Sequence, residues 1–181
     1  RSTAQPGDWV VCTGHPGDSA AGLELMLQAL ETEEDRSKTC WEHPDAESSL
    51  SGYRARLQYY TRTIAQTLAA PVSRVGQLLQ RHLLPLSRLA EVKALRRDAQ
   101  ITAIDDISDG VAREAREIAE ASGVDLELSS QSYPISEAAT WAAGFLGTDA
   151  RQWFLNGGED YELLLTCEPL TGYPSHHRGP L

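Results

Sequence analysis

Ile101-Thr102-Ala103-Ile104-Asp105-Asp106-Ile107-Ser108-Asp109-Gly110 is the stretch around which the chain is organised. An apolar, β-branched run ends in Asp105, Asp106, Ser108, Asp109 and Gly110, and a helical pattern starts directly after it. This predicts a strand feeding a tight turn and a helix N-terminus. Carboxylates crowded at one junction repel one another unless a positive charge sits among them. A hard divalent cation, Mg²⁺ above all, prefers oxygen ligands and shares them with phosphates. A second reading stays open beside it: Ser108 or Asp109 simply caps the helix. Calcium binding of the EF-hand type is excluded by spacing, because counting from Asp105 puts Ile107 at the third position and Arg116 at the twelfth.

Upstream, Trp9 to Thr13 reads as a short buried strand, followed by the loop Gly14-His15-Pro16-Gly17-Asp18-Ser19. Asp18 or Ser19 can cap the next helix, whose apolar side is read as Ala20, Leu23, Met26, Leu27 and Leu30. A strand, a glycine loop and a helix N-terminus can hold a phosphate, although such loops often only turn the chain. Residues 31–52 are polar and read as a solvated loop; Cys40 and His43 within them lack a second pair to complete a zinc site. Leu57, Tyr60, Ile64 and Leu68 mark a helix that Pro71 breaks, Val72 to Leu84 forms another before Pro85, and Leu86 to Leu95 a shorter one.

Downstream, Val111, Ala115, Ile118 and Ala119 mark a helix face that Gly123 closes. Val124 to Leu128 alternates like a half-buried strand. Ser136 to Leu146 reads as a helix with Ser136 as its cap. Asn156-Gly157-Gly158-Glu159-Asp160 then leads into the strand Tyr161 to Thr166, either lining a ligand site with its acids or forming a plain hairpin turn. From Glu168 onward no periodicity remains, and a frayed terminus is expected.

Composition narrows the function classes. The 181 residues carry a formal charge of -10, and no basic stripe supports a nucleic-acid footprint. The two lysines, Lys38 and Lys93, lie outside any P-loop motif. Cys12, Cys40 and Cys167 form neither a zinc pattern nor a disulfide framework, which fits a cytoplasmic protein. No apolar run reaches the length of a membrane span. The first residue is Arg, so the chain is expected to start inside a longer gene product.

Three stretches, taken together, resemble the thiamine-monophosphate kinase family. They are Gly7-Asp8-Trp9 running into Thr13-Gly14-x-x-Gly17-Asp18-Ser19-Ala20-Ala21-Gly22-Leu23, then Asp106-Ile107-Ser108-Asp109-Gly110, then Gly157-Gly158-Glu159-Asp160-Tyr161-Glu162-Leu163. Arg81-His82-Leu83 with Pro85 and Arg88 resembles a further family segment. The likeness is to the family's C-terminal domain, of the type shared with aminoimidazole ribonucleotide synthetase. It implies an α/β (α+β) fold, a mixed β-sheet with packed helices, over residues 1–166. It further implies an insertion at about 31–80 and a divergent, disordered tail at 167–181. The family's N-terminal domain and last thiamine-contacting segment are not found in this chain.

By that resemblance the activity is transfer of the γ-phosphoryl of ATP onto thiamine monophosphate, with Mg²⁺ holding the phosphates, in a cytoplasmic homodimer. Asp106 and Asp109 match Mg²⁺ ligands, Ser108 and Arg1 match ATP contacts, and Glu159 matches a substrate contact. Asp105 has no clear counterpart and is placed in the outer shell of the metal; Asp160 belongs to its motif without a role. The alternatives are another enzyme of the superfamily, such as a selenophosphate synthetase or the purine-pathway synthetase, or an inert fragment serving binding or assembly.

Overall fold

The computed structural model describes residues 3–32 and 50–169. Arg1, the Cys40–His43 pair, most of the 31–52 loop and the tail beyond 169 lie outside them. The elements are β1 (Trp9–Cys12), α1 (Asp18–Thr32), α2 (Leu50–Thr67), α3 (Val72–Leu83), α4 (Leu89–Asp98), β2 (Ile101–Ile107), α5 (Val111–Ser122), α6 (Glu137–Leu146), α7 (Ala150–Asn156) and β3 (Glu162–Cys167). The fold is α+β, as expected. The sheet order is β1-β3-β2, and among the described residues both pairings are antiparallel rather than mixed.

The β-branched residues of Ile101 to Ile107 suit a pleated, half-buried surface, and this strand forms as expected. Its alternation sends Ala103 and Ile107 into a cluster with Val111, Ala115 and Ile118 of α5 and Leu164 of β3. A second cluster joins α1, α2, α3 and α6 through Leu25, Ile64, Leu78, Leu79 and Ala142. Adjacent residues of α7 serve one cluster each, Trp153 the helical one and Phe154 the sheet one. Burying a side chain such as Leu25 or Leu79 contributes about 1.5–3 kcal/mol. Ile64, Ala65 and Leu68, inside the segment expected as an insertion, belong to this core. Among the described residues no helix is long and apolar enough to cross a membrane.

Several local readings are corrected. In α1 the buried positions are Ala21, Gly22, Leu25, Met26 and Ala29, whereas Leu23 and Leu27 face outward. The face therefore lies about one position from the one read off the leucines, because alanine and glycine fill the closest approach. At Gly22 an added Cβ would stand 2.5 Å from the Leu78 carbonyl oxygen. Val124 to Leu128 keeps the expected in-and-out alternation, yet among the described residues it pairs with no strand. Its apolar side chains are held by the sheet cluster instead of a ladder. Residues 157–161 form a crossing from α7 to β3 and not a hairpin turn. α7, capped by Asp149, is a helix that the sequence reading did not contain. The Ser136 cap, its side chain accepting from the Ala139 amide, and the left-handed Gly123 and Gly147 stops form as their residue types dictate.

Candidate functional site

The three motif stretches meet at one end of the sheet. Glu159 donates its amide to the Ser108 carbonyl at 2.8 Å, and Tyr161 donates to the Ile107 carbonyl at 3.1 Å. An added Cβ on Gly158 would stand 2.5 Å from the Ser108 oxygen, so only glycine allows the two turns to touch. Gly110 has φ +101° and lies against Leu155 and Asn156, which places the β2–α5 turn directly over the end of α7.

The turn's acids are arranged differently from the cap reading. Gly110 is the N-cap of α5 and makes no side-chain cap bond, so neither Ser108 nor Asp109 caps the helix. Buried Glu114 reaches back from the first turn of α5 instead, accepting from the Asp109 amide at 3.1 Å and the Ser108 hydroxyl at 3.4 Å. Asp105, Glu114 and Glu117 bring carboxylate oxygens within 4.8 Å of one another. Neither expected metal ligand belongs to that group. Asp106 is exposed on the opposite side of the strand from Asp105. Asp109 is exposed and ion-paired to Arg113 at 2.7 Å; Arg113 also meets Glu117 at 3.1 Å. The side chains of the β2–α5 turn offer oxygen donors, which fits a hard cation such as Mg²⁺.

The third stretch splits by direction. Glu159 points outward, with its side chain 63% exposed and 3.9 Å from His82 Nδ1. Asp160 points inward and accepts from the Gly17 amide at 2.7 Å and the Ser19 amide at 3.0 Å. The N-terminus of α1, which the sequence offered to Asp18, Ser19 or a phosphate, is thus satisfied by a carboxylate 141 positions away. Burial pushes Asp160 up to about 7, against the pull of those two amides. Asp18 is also buried, and desolvation raises its pKa although the Ser136 hydroxyl donates to it at 2.5 Å. Among the described residues its second oxygen, Oδ2, has no hydrogen-bond partner.

Glu162 explains the arginine segment. It is buried and accepts from Arg88 Nε at 2.6 Å and Thr13 Oγ1 at 2.6 Å, with Arg81 at 3.6 Å. Arg88 Nη2 completes a two-pronged contact, and that pairing raises the pKa of the guanidinium further. His82 turns the other way and bonds the Ser19 hydroxyl at 3.0 Å. The glycine loop leaves no room either, since a Cβ on Gly14 would collide with the Glu162 carboxylate. These long-range pairings are invisible to local pattern, and the Arg81–Arg88 segment shows in the sequence only as a family likeness. Cys12 is pushed up to about 12 by burial, and Cys167 is raised for the same reason, so neither offers a thiolate.

An acid-lined sheet end, closed by glycine-dependent turns and backed by arginines, defines an α+β domain built around a carboxylate-rich turn. The family model for "AIR synthase related protein, C-terminal domain" matches residues 5–168, and the chain belongs to that family. Over all 181 residues it is 33% identical to the thiamine-monophosphate kinase of Salmonella typhimurium and spans 41% of that protein. Among solved structures it is similar to AaThiL complexed with AMPPCP and TMP, at 32% identity and a TM-score of 0.62, covering 93% of this chain and 41% of that one. The thiamine monophosphate kinase of Aquifex aeolicus superimposes with a TM-score of 0.63 at 31% identity, over 91% of this chain and 43% of that one. The chain therefore spans less than half the length of these relatives.

Proposed function

We propose that this chain forms the C-terminal part of an enzyme that transfers a phosphoryl group from ATP to thiamine monophosphate, yielding thiamine diphosphate and ADP. The observation that carries this reading is the meeting of the three motif stretches at one sheet end, in a chain similar throughout to thiamine-monophosphate kinases. That a similar structure carries AMPPCP, an ATP analogue, and TMP supports the same ligands here.

The chemistry is consistent. Both reactants are anions, and an acidic sheet end would repel them without a bridging charge. Asp106 and Asp109 would hold Mg²⁺, which neutralises the phosphates and polarises them for transfer. Ser108 faces the nucleotide in this proposal, and Arg1, outside the described residues, is kept as a second ATP contact by likeness. The exposed Glu159 carboxylate suits the positively charged thiazolium of the substrate. The protein's part is positioning and charge neutralisation, which is what phosphoryl transfer demands.

The test is calorimetric titration of the chain with ADP, with and without Mg²⁺ and thiamine monophosphate. We expect nucleotide binding that requires Mg²⁺ and is lost in Asp109→Asn. A folded chain that binds no nucleotide would overturn the reading in favour of an inert fragment.

A further inference from the structure

Among the described residues, three that are not glycine have left-handed backbone: Ala69, Glu159 and Tyr161. Ala69 ends a helix, where that conformation is ordinary. The other two flank Asp160 at the sheet end described above. Tyr161 has φ +50°, a costly conformation for a bulky side chain. Its neighbours Asp160 and Glu162 are both buried and anchored, so the backbone between them is over-determined. The ring gains little from the fold in return, being 49% exposed. Stability alone favours glycine here. A strained aromatic residue held outward two positions from an exposed carboxylate is the arrangement of a ligand contact.

We propose that Tyr161 is a specificity-determining residue, its ring forming the platform on which the planar, cationic heteroaromatic part of the substrate lies while Glu159 meets its charge. This rests on the substrate reading above. The contact is a stacking and cation–π interaction, worth about 5–20-fold in affinity for a partly exposed ring. Ser108 lies across the same backbone hydrogen bonds, so ring and nucleotide end share one rigid frame.

The experiment compares the chain with Tyr161→Phe, Tyr161→Leu and Tyr161→Gly. Each is titrated with thiamine monophosphate in the presence of Mg²⁺-ADP, and its thermal unfolding is followed. Tyr161→Phe is expected within about twofold of the parent chain, while the other two lose about 5–20-fold. Tyr161→Gly should also unfold at a higher temperature, so stability and affinity move in opposite directions, which a purely structural role would not produce. Unchanged affinity in Tyr161→Leu and Tyr161→Gly, with a parent chain that binds, overturns this inference alone. A parent chain that binds Mg²⁺-ADP but no thiamine monophosphate overturns the substrate reading and this inference with it.

Discussion

Replacing Arg88 by Met tests the internal frame most directly. Glu162 has a side chain 5% exposed, and Arg88 Nε and Nη2 supply its two closest charged contacts. Removing the guanidinium leaves a buried carboxylate with the Thr13 hydroxyl and with Arg81 at 3.6 Å. Breaking a buried pair from one side costs about 3–5 kcal/mol. Because Arg81 remains, we expect the lower end, about 3 kcal/mol, which lowers the thermal midpoint of a chain this size by about 6–12 °C. The double variant Arg88→Met/Glu162→Gln removes the stranded charge and should recover at least half of the loss, since neutralising the partner takes away the desolvation penalty. Urea unfolding followed by circular dichroism measures both. A loss under about 1 kcal/mol in the single variant, or a double variant that loses the sum of two single effects, would refute the assignment of Glu162 as the buried anchor of the arginine segment.

Asp160→Asn should change how stability depends on pH. The folded pKa of Asp160, about 7, lies above that of an unfolded aspartate, so its stabilising share is full below about pH 4 and is lost as pH rises through about 7. The midpoint difference between parent and variant should therefore shrink between about pH 4 and pH 7, and a constant difference in melting scans would contradict the buried-acid assignment. Gly110→Ala, with φ +101° and Leu155 oxygen 2.6 Å from the new Cβ, should lose over about 2 kcal/mol, while Gly123→Ala, open around its Cβ, should lose about 1; equal losses in chemical denaturation would remove the close-approach argument. Asp106→Asn and Asp109→Asn should each weaken Mg²⁺-dependent nucleotide binding yet unfold within about 0.5 kcal/mol of the parent, because both side chains are exposed; unchanged titrations in both would count against the metal assignment.

What was legible in the sequence was local. Ser136, Gly123 and the β-branched run into Gly110 each act on their immediate backbone, and each element formed where those residues place it. The misreadings share a physical cause. Val124 to Leu128 alternates because one side meets the sheet cluster, and alternation records burial without recording a ladder partner. The leucines of α1 misled because packing against α3 selects small residues at the contact. In the site, Asp106, Ser108, Asp109 and Glu159 could be named from their motifs, and the structure brings their backbone segments together. The roles of Asp160, Glu162 and Glu114 were out of reach. The partners of Asp160 and Glu162 lie across the fold, and Glu114 acts by reaching back over a turn whose cap residue is glycine.

The place of β3 has a consequence for how the chain folds. β1 and β2 never pair with each other; each waits for Glu162–Cys167, the last strand of the three to leave the ribosome. The register Trp9↔Cys167 closes a loop of nearly the whole described chain. Helices α1 to α3, whose contacts are nearer in sequence, can gather before any sheet exists, while the acid-lined end is assembled only when the final strand slides between two waiting edges. A polypeptide released before residue 162 would therefore carry two unpaired strand edges and no site, and would be prone to pair with other copies of itself.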